Sequence, residues 1–282
     1  MILVTGATGN VGSKVVEQLS SAGAPVRAFV HDPEKAANVR ETGVEIAEGD
    51  FQRPETLDAA LEGVDRLFLL MGTAENQVEL ENDVIDAAAR AGIRRVVKLS
   101  IYGAEIGSPV PFRDWHGRIE ARLEGSGLGY THLRPTFFMQ NAAYMLAPDG
   151  VFYMPSGDGR IGWVDVRDVA AVAVRALTED GHEEGKAYDI TGPESLSFAE
   201  AAERISAATG REIRHVDVPP EAARQGMLSS GMPEWQVDVS LALLAAIREG
   251  ALDAVTGTVA TVGRVEPRSF EDYAREFAPA FA

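Results

Sequence analysis

The chain has 282 residues, of which 45% are hydrophobic and 24% charged, a composition typical of a globular protein with one large domain or two smaller ones. Its 43 acidic and 26 basic residues give a formal net charge of −17, which disfavours nucleic acid as a partner because that affinity depends on Lys and Arg. The absence of cysteine excludes disulfides, thiolate metal sites and a cysteine nucleophile. With no apolar run long enough to cross a membrane and no signal peptide, we expect a cytoplasmic protein without membrane contact.

The first half of the chain alternates short apolar runs with helical patterns. The apolar runs are rich in β-branched residues and are predicted strands at Ile2–Thr5, Val26–Val30, Val44–Ala47, Leu67–Met71, Val96–Leu99 and Thr131–Leu133. Between them, Val11, Val15 and Leu19 share one helical face, and Glu75–Ala91 is rich in helix-forming residues. This alternation predicts an α/β fold, a Rossmann-type doubly wound parallel sheet with helices on both faces.

The second half is less regular. The glycine-containing segment Val151–Val164 is predicted to be a loop or a hairpin, and Ala187–Thr191 is predicted to be a strand. Further helices are predicted from Asp165 to about Leu177 and at Ser197–Thr209, Trp235–Glu249 and Phe270–Phe277. We therefore predict a lobe of residues 1–150, which a return segment at 163–192 rejoins, and a smaller C-terminal α/β lobe of residues 193–282.

A glycine-rich turn, Gly6-Ala7-Thr8-Gly9-Asn10-Val11-Gly12, joins the first strand to the first helix. Glycines permit a tight turn and let the backbone approach a pyrophosphate, while the start of the helix offers free N–H groups. The segment Gly157-Asp158-Gly159-Arg160-Ile161-Gly162 matches G-x-G-x-x-G, but it leads into a strand-like Trp163-Val164 and is interpreted as a turn. We therefore predict that lobe 1–150 binds a dinucleotide and that lobe 193–282 binds the substrate.

Further motifs accompany the turn. They are Val4-Thr5-Gly6-Ala7-Thr8-Gly9, Glu48-Gly49-Asp50, Ser126-Gly127-Leu128, Leu133-Arg134-Pro135, Val164-Asp165-Val166-Arg167-Asp168-Val169 and Ile190-Thr191-Gly192-Pro193. With them, nearly the whole chain resembles the NmrA-like group of atypical short-chain dehydrogenase/reductases. That group includes NAD(P)H-dependent quinone reductases, triphenylmethane reductase and a nitrogen regulator, so the resemblance implies NAD(P)H as the cofactor.

The resemblance implies a cofactor site along the carboxyl ends of the strands. The residues expected to contact the pyrophosphate, adenine, ribose and nicotinamide are Gly6, Thr8, Gly9, Asn10, Val11, Gly12, Asp50, Phe51, Leu70, Met71, Gly72, Ser100, Pro135, Thr136 and Phe137. Beside the adenosine ribose, His31 and Lys35 favour the 2′-phosphate of NADPH, whereas Asp32 favours the free hydroxyl of NADH. The two basic residues tilt the prediction toward NADPH.

The resemblance breaks at the catalytic positions. Typical short-chain reductases use Tyr-x-x-x-Lys, but registering on Glu120 and on the motif that begins at Ser126 places Phe112 at the tyrosine and His116 at the lysine. A phenylalanine has no proton to give, and general acid catalysis is typically worth roughly 10²–10⁴-fold, so ordinary ketone reduction and sugar epimerisation are disfavoured. A quinone or a polycyclic, polyketide-like aromatic compound accepts hydride readily, and its anion can take a proton from water.

We therefore predict an NAD(P)H-dependent reductase of quinones or polycyclic aromatic compounds, in which His116, Tyr102, Ser100 and Asn141 position the substrate oxygen. Two of these residues have structural alternatives, His116 as a packed histidine and Tyr102 as a loop aromatic that covers the crevice. The missing tyrosine is equally compatible with a non-catalytic NAD(P) sensor that binds a regulatory partner. A ligand-sized pocket open to the nicotinamide would favour the enzyme.

A flat apolar pocket is predicted beside the nicotinamide, although most of such an aromatic run is ordinarily core. The expected substrate contacts are Trp115, Phe137, Phe138, Tyr144, Phe152 and Trp163. No metal site is expected, because the five histidines never show the spacing of a metal-binding helix. The sequence leaves the oligomeric state open.

Overall fold

The computed structural model describes residues 1–182 and 184–281. The strands are β1 (Ile2–Val4), β2 (Val26–Val30), β3 (Glu45–Glu48), β4 (Arg66–Leu69), β5 (Arg95–Leu99), β6 (Gly129–Pro135), β7 (Val151–Tyr153), β8 (Arg160–Ile161), β9 (Glu184–Ile190), β10 (Leu196–Ser197) and β11 (Arg214–Val216). Seven of them form one sheet in the order β3-β2-β1-β4-β5-β6-β9, in which every neighbouring pair is parallel. The predicted doubly wound parallel sheet is thereby confirmed.

Helices cover both faces of this sheet. The helices are α1 (Asn10–Ser21), α2 (Ala37–Glu41), α3 (Pro54–Leu61), α4 (Gln77–Ala91), α5 (Pro111–Glu124), α6 (Asn141–Met145), α7 (Val166–Thr178), α8 (Phe198–Thr209), α9 (Pro220–Ser229), α10 (Glu234–Arg248) and α11 (Phe270–Glu276). On one face, Val15 of α1 and Val172 of α7 belong to the same buried core. On the other face, Leu57, Ile85 and Ile119 of α3, α4 and α5 are buried together.

Local sequence signals explain several helix ends. Proline opens α3 and α5, where its fixed φ suits the first turn and its missing N–H costs nothing. Gly92 ends α4 with φ +73, a conformation in which glycine avoids the steric cost of a Cβ. Ser197 and Glu200 form a reciprocal capping box at the start of α8. These signals explain why the predicted helices begin and end close to the observed residues.

The C-terminal part of the chain has its own core and two small sheets. The segment predicted as a loop or hairpin contributes two strands that do not pair with each other, because β7 pairs in parallel with β11 and β8 pairs antiparallel with β10. The predicted turn is found at Gly157 and Asp158, but the strand that follows is β8, inside the motif, and Val164 makes only an isolated bridge with Phe138. Trp163, Phe198 and Phe270 are completely buried and pack edge to face in this second core.

Buried polar contacts fasten this second core to the main sheet. Asp168, in the first turn of α7, accepts a hydrogen bond from the Arg268 backbone N–H at 2.8 Å. Its carboxylate also forms an ion pair with the Arg268 guanidinium. These contacts tie the start of α7 to the segment that leads into α11. The Thr136 hydroxyl donates to the Gly162 carbonyl, and its N–H donates to the Ile190 carbonyl at 3.0 Å. Within residues 1–182 and 184–281, no helix combines the length and hydropathy that a membrane span requires.

Candidate active site

The glycine-rich turn lies at the carboxyl end of β1, in the middle of the sheet. Gly6 has φ +59, and a Cβ there would come within 2.8 Å of the Leu70 side chain at the end of β4. A Cβ on Gly12 would lie only 2.1 Å from the Gly6 carbonyl oxygen. Thr5 fastens the same corner, because its hydroxyl donates to the Leu70 carbonyl at 2.8 Å and accepts from the Leu70 N–H at 2.9 Å. These contacts hold the turn tightly between β4 and α1.

The start of α1 offers an uncapped group of backbone donors. Gly9 is the N-cap residue and supplies no side-chain cap, and the first turn carries no acidic residue. Thr8, Gly9 and Asn10 are exposed, whereas Val11 and Gly12 are buried and offer only their backbone. The first N–H groups of a helix have no partner within the helix and, with the positive end of its dipole, favour an anion. The turn therefore fits a pyrophosphate.

The ends of β2 and β3 form the other side of the expected cofactor site. The His31 and Lys35 side chains are 74% and 80% exposed, so both are free to reorient toward a phosphate. His31 Nδ1 lies 3.4 Å from Asp50 Oδ2, and Lys35 Nζ lies 3.5 Å from Asp32 Oδ2. Asp32 also accepts a backbone N–H at 3.0 Å as the cap of a short 3₁₀ turn. Phe51 stacks on an aromatic ring of β2 with centroids 5.7 Å apart, which gives this end a flat apolar surface.

A cleft of about 200 Å³ opens at the carboxyl ends of β4, β5 and β6. Its lining consists of Leu70, Met71, Thr73, Gln77, Leu99, Ser100, Ile101, Phe112, His116, Pro135, Thr136, Phe137, Phe138, Asn141 and Leu243. Three of the four predicted catalytic residues, Ser100, His116 and Asn141, meet here. Tyr102 does not line the cleft, although its backbone N–H donates to the Pro135 carbonyl at its edge at 2.9 Å. Gly72 does not line it either.

Behind the cleft lies a chain of buried polar side chains. The Lys98 and Glu81 side chains are 0% and 1% exposed, and Lys98 Nζ lies 2.7 Å from Glu81 Oε2. Glu81 Oε1 accepts a hydrogen bond from Gln77 Nε2 at 2.7 Å. Lys98 Nζ also donates to the Leu99 carbonyl at 3.0 Å and lies 3.1 Å from His116 Nδ1. Burial, and then the charge of Lys98, hold the pKa of His116 well below its ordinary value, so the ring is neutral at pH 7.

This polar chain was not predicted from the sequence, although the sequence contains a signal for it. Lys98 stands inside an otherwise apolar run of β5, all of which is buried. Glu81 lies on the buried side of α4, one turn beyond Gln77. Because lysine and glutamate are almost never fully buried unless they are paired, a lysine in a buried strand predicts a carboxylate partner on a neighbouring helix. The acidic residues of α4 were the candidates for this carboxylate partner.

A second polar group is centred on Glu120, beside Ser100. Glu120 Oε1 accepts a hydrogen bond from Arg134 Nε at 3.0 Å, and a second guanidinium nitrogen contacts Oε2. Burial raises the pKa of Glu120, but the hydrogen bonds from Arg134 and Ser100 and the charges of His132 and Arg134 together outweigh burial, so the pKa lies below its ordinary value. Glu120, Glu124 and His132 have ligand atoms within 4.8 Å of one another. The guanidinium that already neutralises Glu120 disfavours a cation there, so we assign this group to structure.

A larger cavity of about 800 Å³ adjoins the cleft on the side of α9 and α10. Its lining consists of Phe112, Phe137, Asn141, Tyr144, Met145, Leu146, Ala147, Pro148, Tyr153, Met154, Val218, Ala222, Ala223, Gly226, Met227, Ser230, Met232, Gln236, Ser240, Leu243 and Leu244. Most of these residues are apolar, and the methionines give the wall an adaptable shape. Phe112, Phe137, Asn141 and Leu243 line both spaces and form the wall between them, called the shared wall below.

Three of the six predicted substrate contacts line these two spaces. Phe137 lines both, Phe138 lines the cleft and Tyr144 lines the larger cavity. Tyr144 is 76% exposed, so its ring stands at the mouth of the cavity rather than deep inside it. The aromatic run after β6 is thus divided between the floor of the cleft and the cavity entrance. It does not form one continuous core patch.

The other three predicted substrate contacts line neither space. Trp115 lines neither space and packs edge to face on Phe112 at 5.7 Å between centroids. Phe152 and Trp163 are completely buried in the C-terminal core. Trp163 packs edge to face on Phe137 at 5.1 Å. Phe112 and Phe137 therefore separate Trp115 and Trp163 from the cavity, and both tryptophans support the shared wall from behind.

Comparisons with known proteins identify the family and the fold. Residues 1–274 match the model of the NmrA-like family. The chain is 42% identical over 284 residues to the NAD(P)H azoreductase of Xenophilus azovorans, covering 100% of this chain and 99% of that protein. The crystal structure of NADPH-dependent quinone oxidoreductase from Escherichia coli with NADPH has a TM-score of 0.88 at 26% identity, covering 98% and 99% of the two chains. The triphenylmethane reductase of Citrobacter sp. with NADP(H) has a TM-score of 0.84 at 27% identity, with the same coverage.

Proposed function

This chain belongs to the NmrA-like family and is an oxidoreductase, and we propose that it transfers hydride from NADPH to a quinone, an azo compound or another electron-poor aromatic acceptor. When bound, the dinucleotide supplies the hydride. The chain itself binds the two reactants, orients them and excludes water from between them. The glycine-rich turn would hold the pyrophosphate, and the cleft would hold the nicotinamide beside His116 and Ser100.

One observation carries the proposal, namely the shared wall between the cleft and the larger cavity. A flat ring in the apolar cavity and a ring in the cleft would meet between Phe112 and Phe137. Holding two reactants in contact can supply several kcal/mol of the barrier reduction without any proton donor, roughly 7–11 kcal/mol at best. Phe112 has no proton to give, which suits an acceptor whose reduced anion is stable. Asn141 offers an amide at this wall for a substrate oxygen or nitrogen.

The cavity supports an enzyme rather than a dinucleotide sensor. A sensor needs the cleft and a surface for its partner, but it gains nothing from about 800 Å³ of apolar space that adjoins the nicotinamide position. An enzyme for flat aromatic substrates needs both spaces, side by side. The missing tyrosine is compatible with either function, but the cavity favours the enzyme over the sensor.

NADPH is proposed in preference to NADH. His31 and Lys35 are exposed cationic or cationisable groups at the end of β2, and each already lies near a carboxylate that a phosphate would replace. Asp32 accepts a hydrogen bond from the Glu34 backbone N–H, which reduces its repulsion of a phosphate. Calorimetric titration at low salt tests this preference. Tighter binding of NADPH is expected, whereas equal affinity for the two dinucleotides would contradict it.

Stopped-flow absorbance with a panel of acceptors tests the reaction itself. Protein and NADPH are mixed with quinones, azo dyes, triphenylmethane dyes and, as a comparison, simple ketones. We expect NADPH oxidation with at least one flat aromatic acceptor and none with the ketones, because the site lacks the tyrosine acid. Tight dinucleotide binding without turnover of any acceptor would remove the enzymatic proposal and restore the sensor.

Narrowing the cavity is expected to select against large acceptors. Gly226 lines the cavity from α9, and a Cβ added there meets nothing within 4 Å. Gly226→Leu should therefore raise KM for polycyclic acceptors by about tenfold, or about 1.4 kcal/mol, with a smaller effect on benzoquinone and none on NADPH affinity. Stability should rise by up to about 1 kcal/mol because glycine is a poor helix former.

Steady-state kinetics and thermal melting measure both effects, and the neighbouring exposed position supplies the control. Gln225→Leu adds the same side chain to α9 outside the cavity lining, so it should leave every KM unchanged. If Gly226→Leu and Gln225→Leu have equal kinetics for a polycyclic acceptor, the cavity is not the substrate site.

A further inference from the structure

The buried polar chain ends on His116 and fixes the hydrogen-bonding state of its ring. An ammonium group has three donors and no acceptor. The 3.1 Å contact between Lys98 Nζ and His116 Nδ1 therefore requires Nδ1 to accept. In a neutral imidazole one nitrogen accepts and the other carries the proton. The proton of His116 is consequently on Nε2, the nitrogen that does not face Lys98.

Lys98 is itself held in this orientation. Its other contacts are Glu81 Oε2 at 2.7 Å and the Leu99 carbonyl at 3.0 Å, so all three ammonium hydrogens have acceptors. Gln77 donates to the second oxygen of Glu81 at 2.7 Å and also lines the cleft. Because Glu81 and Lys98 are buried, these hydrogen bonds are stronger than they would be in water. Rotation of Lys98 away from His116 would therefore break a bond that no solvent replaces.

The charges on the surrounding elements leave Lys98 as the group that acts on His116. From β5, Lys98 touches the ring and its charge adds to the effect of burial on the pKa of His116. From α4, Glu81 is neutralised by Lys98 itself. On α5, Glu120 lies one turn beyond His116 and is engaged by Arg134 of β6. The ring thus meets a cation on its Nδ1 side and the cleft on its other side.

We infer that Lys98 and Glu81 are positioning residues that hold His116 as a neutral Nε2–H donor in the cleft, where it stabilises the anion that hydride addition creates on the substrate. This inference rests on the proposed function. Hydride addition reduces the acceptor by two electrons, oxidises the dinucleotide and leaves a negative charge on a substrate oxygen or nitrogen. A neutral imidazole can polarise such a group. It does not give up its proton, since that would leave an imidazolate, so water protonates the product anion.

The hydrogen-bonding state of His116 can be read directly by NMR. Protein labelled with ¹⁵N-histidine gives signals for five rings, and His116→Gln identifies the one of interest by its loss. The expected spectrum has a protonated Nε2 and an accepting Nδ1, and it stays unchanged as the pH falls through the ordinary histidine pKa of about 6.5. A ring protonated on Nδ1, or one that titrates near its ordinary value of 6.5, would overturn the inference.

A charge-neutral double variant tests the positioning role without leaving a buried charge. Glu81→Leu combined with Lys98→Met removes both partners, and the His116 ring is then expected to populate both tautomers. Its kcat with a quinone should fall by at least about tenfold, while KM for the quinone and the affinity for NADPH change little. The control pair is Asp86→Asn with Arg122→Gln, which breaks an exposed ion pair between α4, the helix of Glu81, and α5, the helix of His116.

The two readouts separate this inference from the proposed function. If the double variant keeps the Nε2 tautomer, or has the same kcat as the unmodified protein, Lys98 and Glu81 do not position His116. The proposed reductase function is unaffected by that result. If the unmodified protein shows the expected tautomer but oxidises NADPH with no acceptor, the proposed function falls and the anion-stabilising role of His116 falls with it.

Discussion

Replacing Gly9 by alanine is expected to remove most of the affinity for the dinucleotide while changing the free energy of unfolding by no more than about 1 kcal/mol. Within the protein the new Cβ would meet only the Gly6 carbonyl oxygen, at 3.3 Å, and the φ of −82 at Gly9 suits alanine. The methyl group would nevertheless crowd the exposed turn that a pyrophosphate must approach. Losing one or two hydrogen bonds to a charged group, each worth about 1.5–3 kcal/mol, raises Kd at least about tenfold.

Calorimetric titration with NADPH and thermal melting measure the two quantities separately. Gly12→Ala should instead lower the melting temperature, because its Cβ would lie 2.1 Å from the Gly6 carbonyl oxygen and the turn itself would have to move. Gly125→Ala, at the C-cap of α5 with φ −80 and a first contact at 3.5 Å, is the matched control and should change neither quantity much. Undiminished NADPH affinity in Gly9→Ala would mean that the pyrophosphate lies elsewhere.

Glu81→Leu is expected to lower the free energy of unfolding by about 3–5 kcal/mol. The carboxylate lies 2.7 Å from Lys98 Nζ, and neither side chain is exposed to solvent. Removing it leaves a buried ammonium group with no counter-charge and leaves the Gln77 amide without its acceptor. Leucine fills a similar volume, so the loss reports the charge and the hydrogen bonds more than a cavity. Denaturation in urea, followed by circular dichroism, measures it.

A double-mutant cycle gives the control for this result. The double variant of Glu81→Leu with Lys98→Met should be more stable than Glu81→Leu alone, because an apolar pair replaces the ion pair without leaving a buried charge. The exposed pair Asp86 and Arg122, with side chains 39% and 41% exposed, should contribute less than about 1 kcal/mol in the same cycle. A cost of Glu81→Leu as small as that of the exposed pair would contradict the buried ion pair.

Much of the fold was predictable because the parallel sheet is buried on both faces. Strands such as Ile2–Val4 are continuous apolar runs, and such runs are visible without any knowledge of the tertiary structure. The edge strand was less well placed, since Val44–Ala47 was predicted and Glu45–Glu48 is observed with exposed glutamates at both ends. The small strands β7 and β11 escaped prediction because their partners lie far apart in sequence and each is only three residues long.

The residues of the candidate site were predictable where their type and position in the chain point to a single function. The glycine-rich turn could be recognised because it follows a predicted strand and precedes a predicted helix. The motif register that placed Phe112 and His116 at the catalytic positions identified two residues that line the same cleft. The buried chain behind His116 was not predictable in this way, because Glu81 and Lys98 lie 17 positions apart and only the packing of α4 on β5 brings them together. Aromatic residues were the weakest guide, since burial and substrate contact favour the same side chains.

Direct hydride transfer at the shared wall of Phe112 and Phe137 is tested most directly by a single turnover with NADPH deuterated at C4 of the nicotinamide. Separate samples carry the label on each face of the ring and are mixed with a quinone that the protein reduces. Because the cavity adjoins the cleft at the shared wall, an acceptor in the cavity would face one side of the ring, so deuterium on that side alone is expected to slow the loss of NADPH absorbance. Equal slowing by either label, or no NADPH oxidation when dinucleotide and quinone are both bound, would contradict the proposed arrangement.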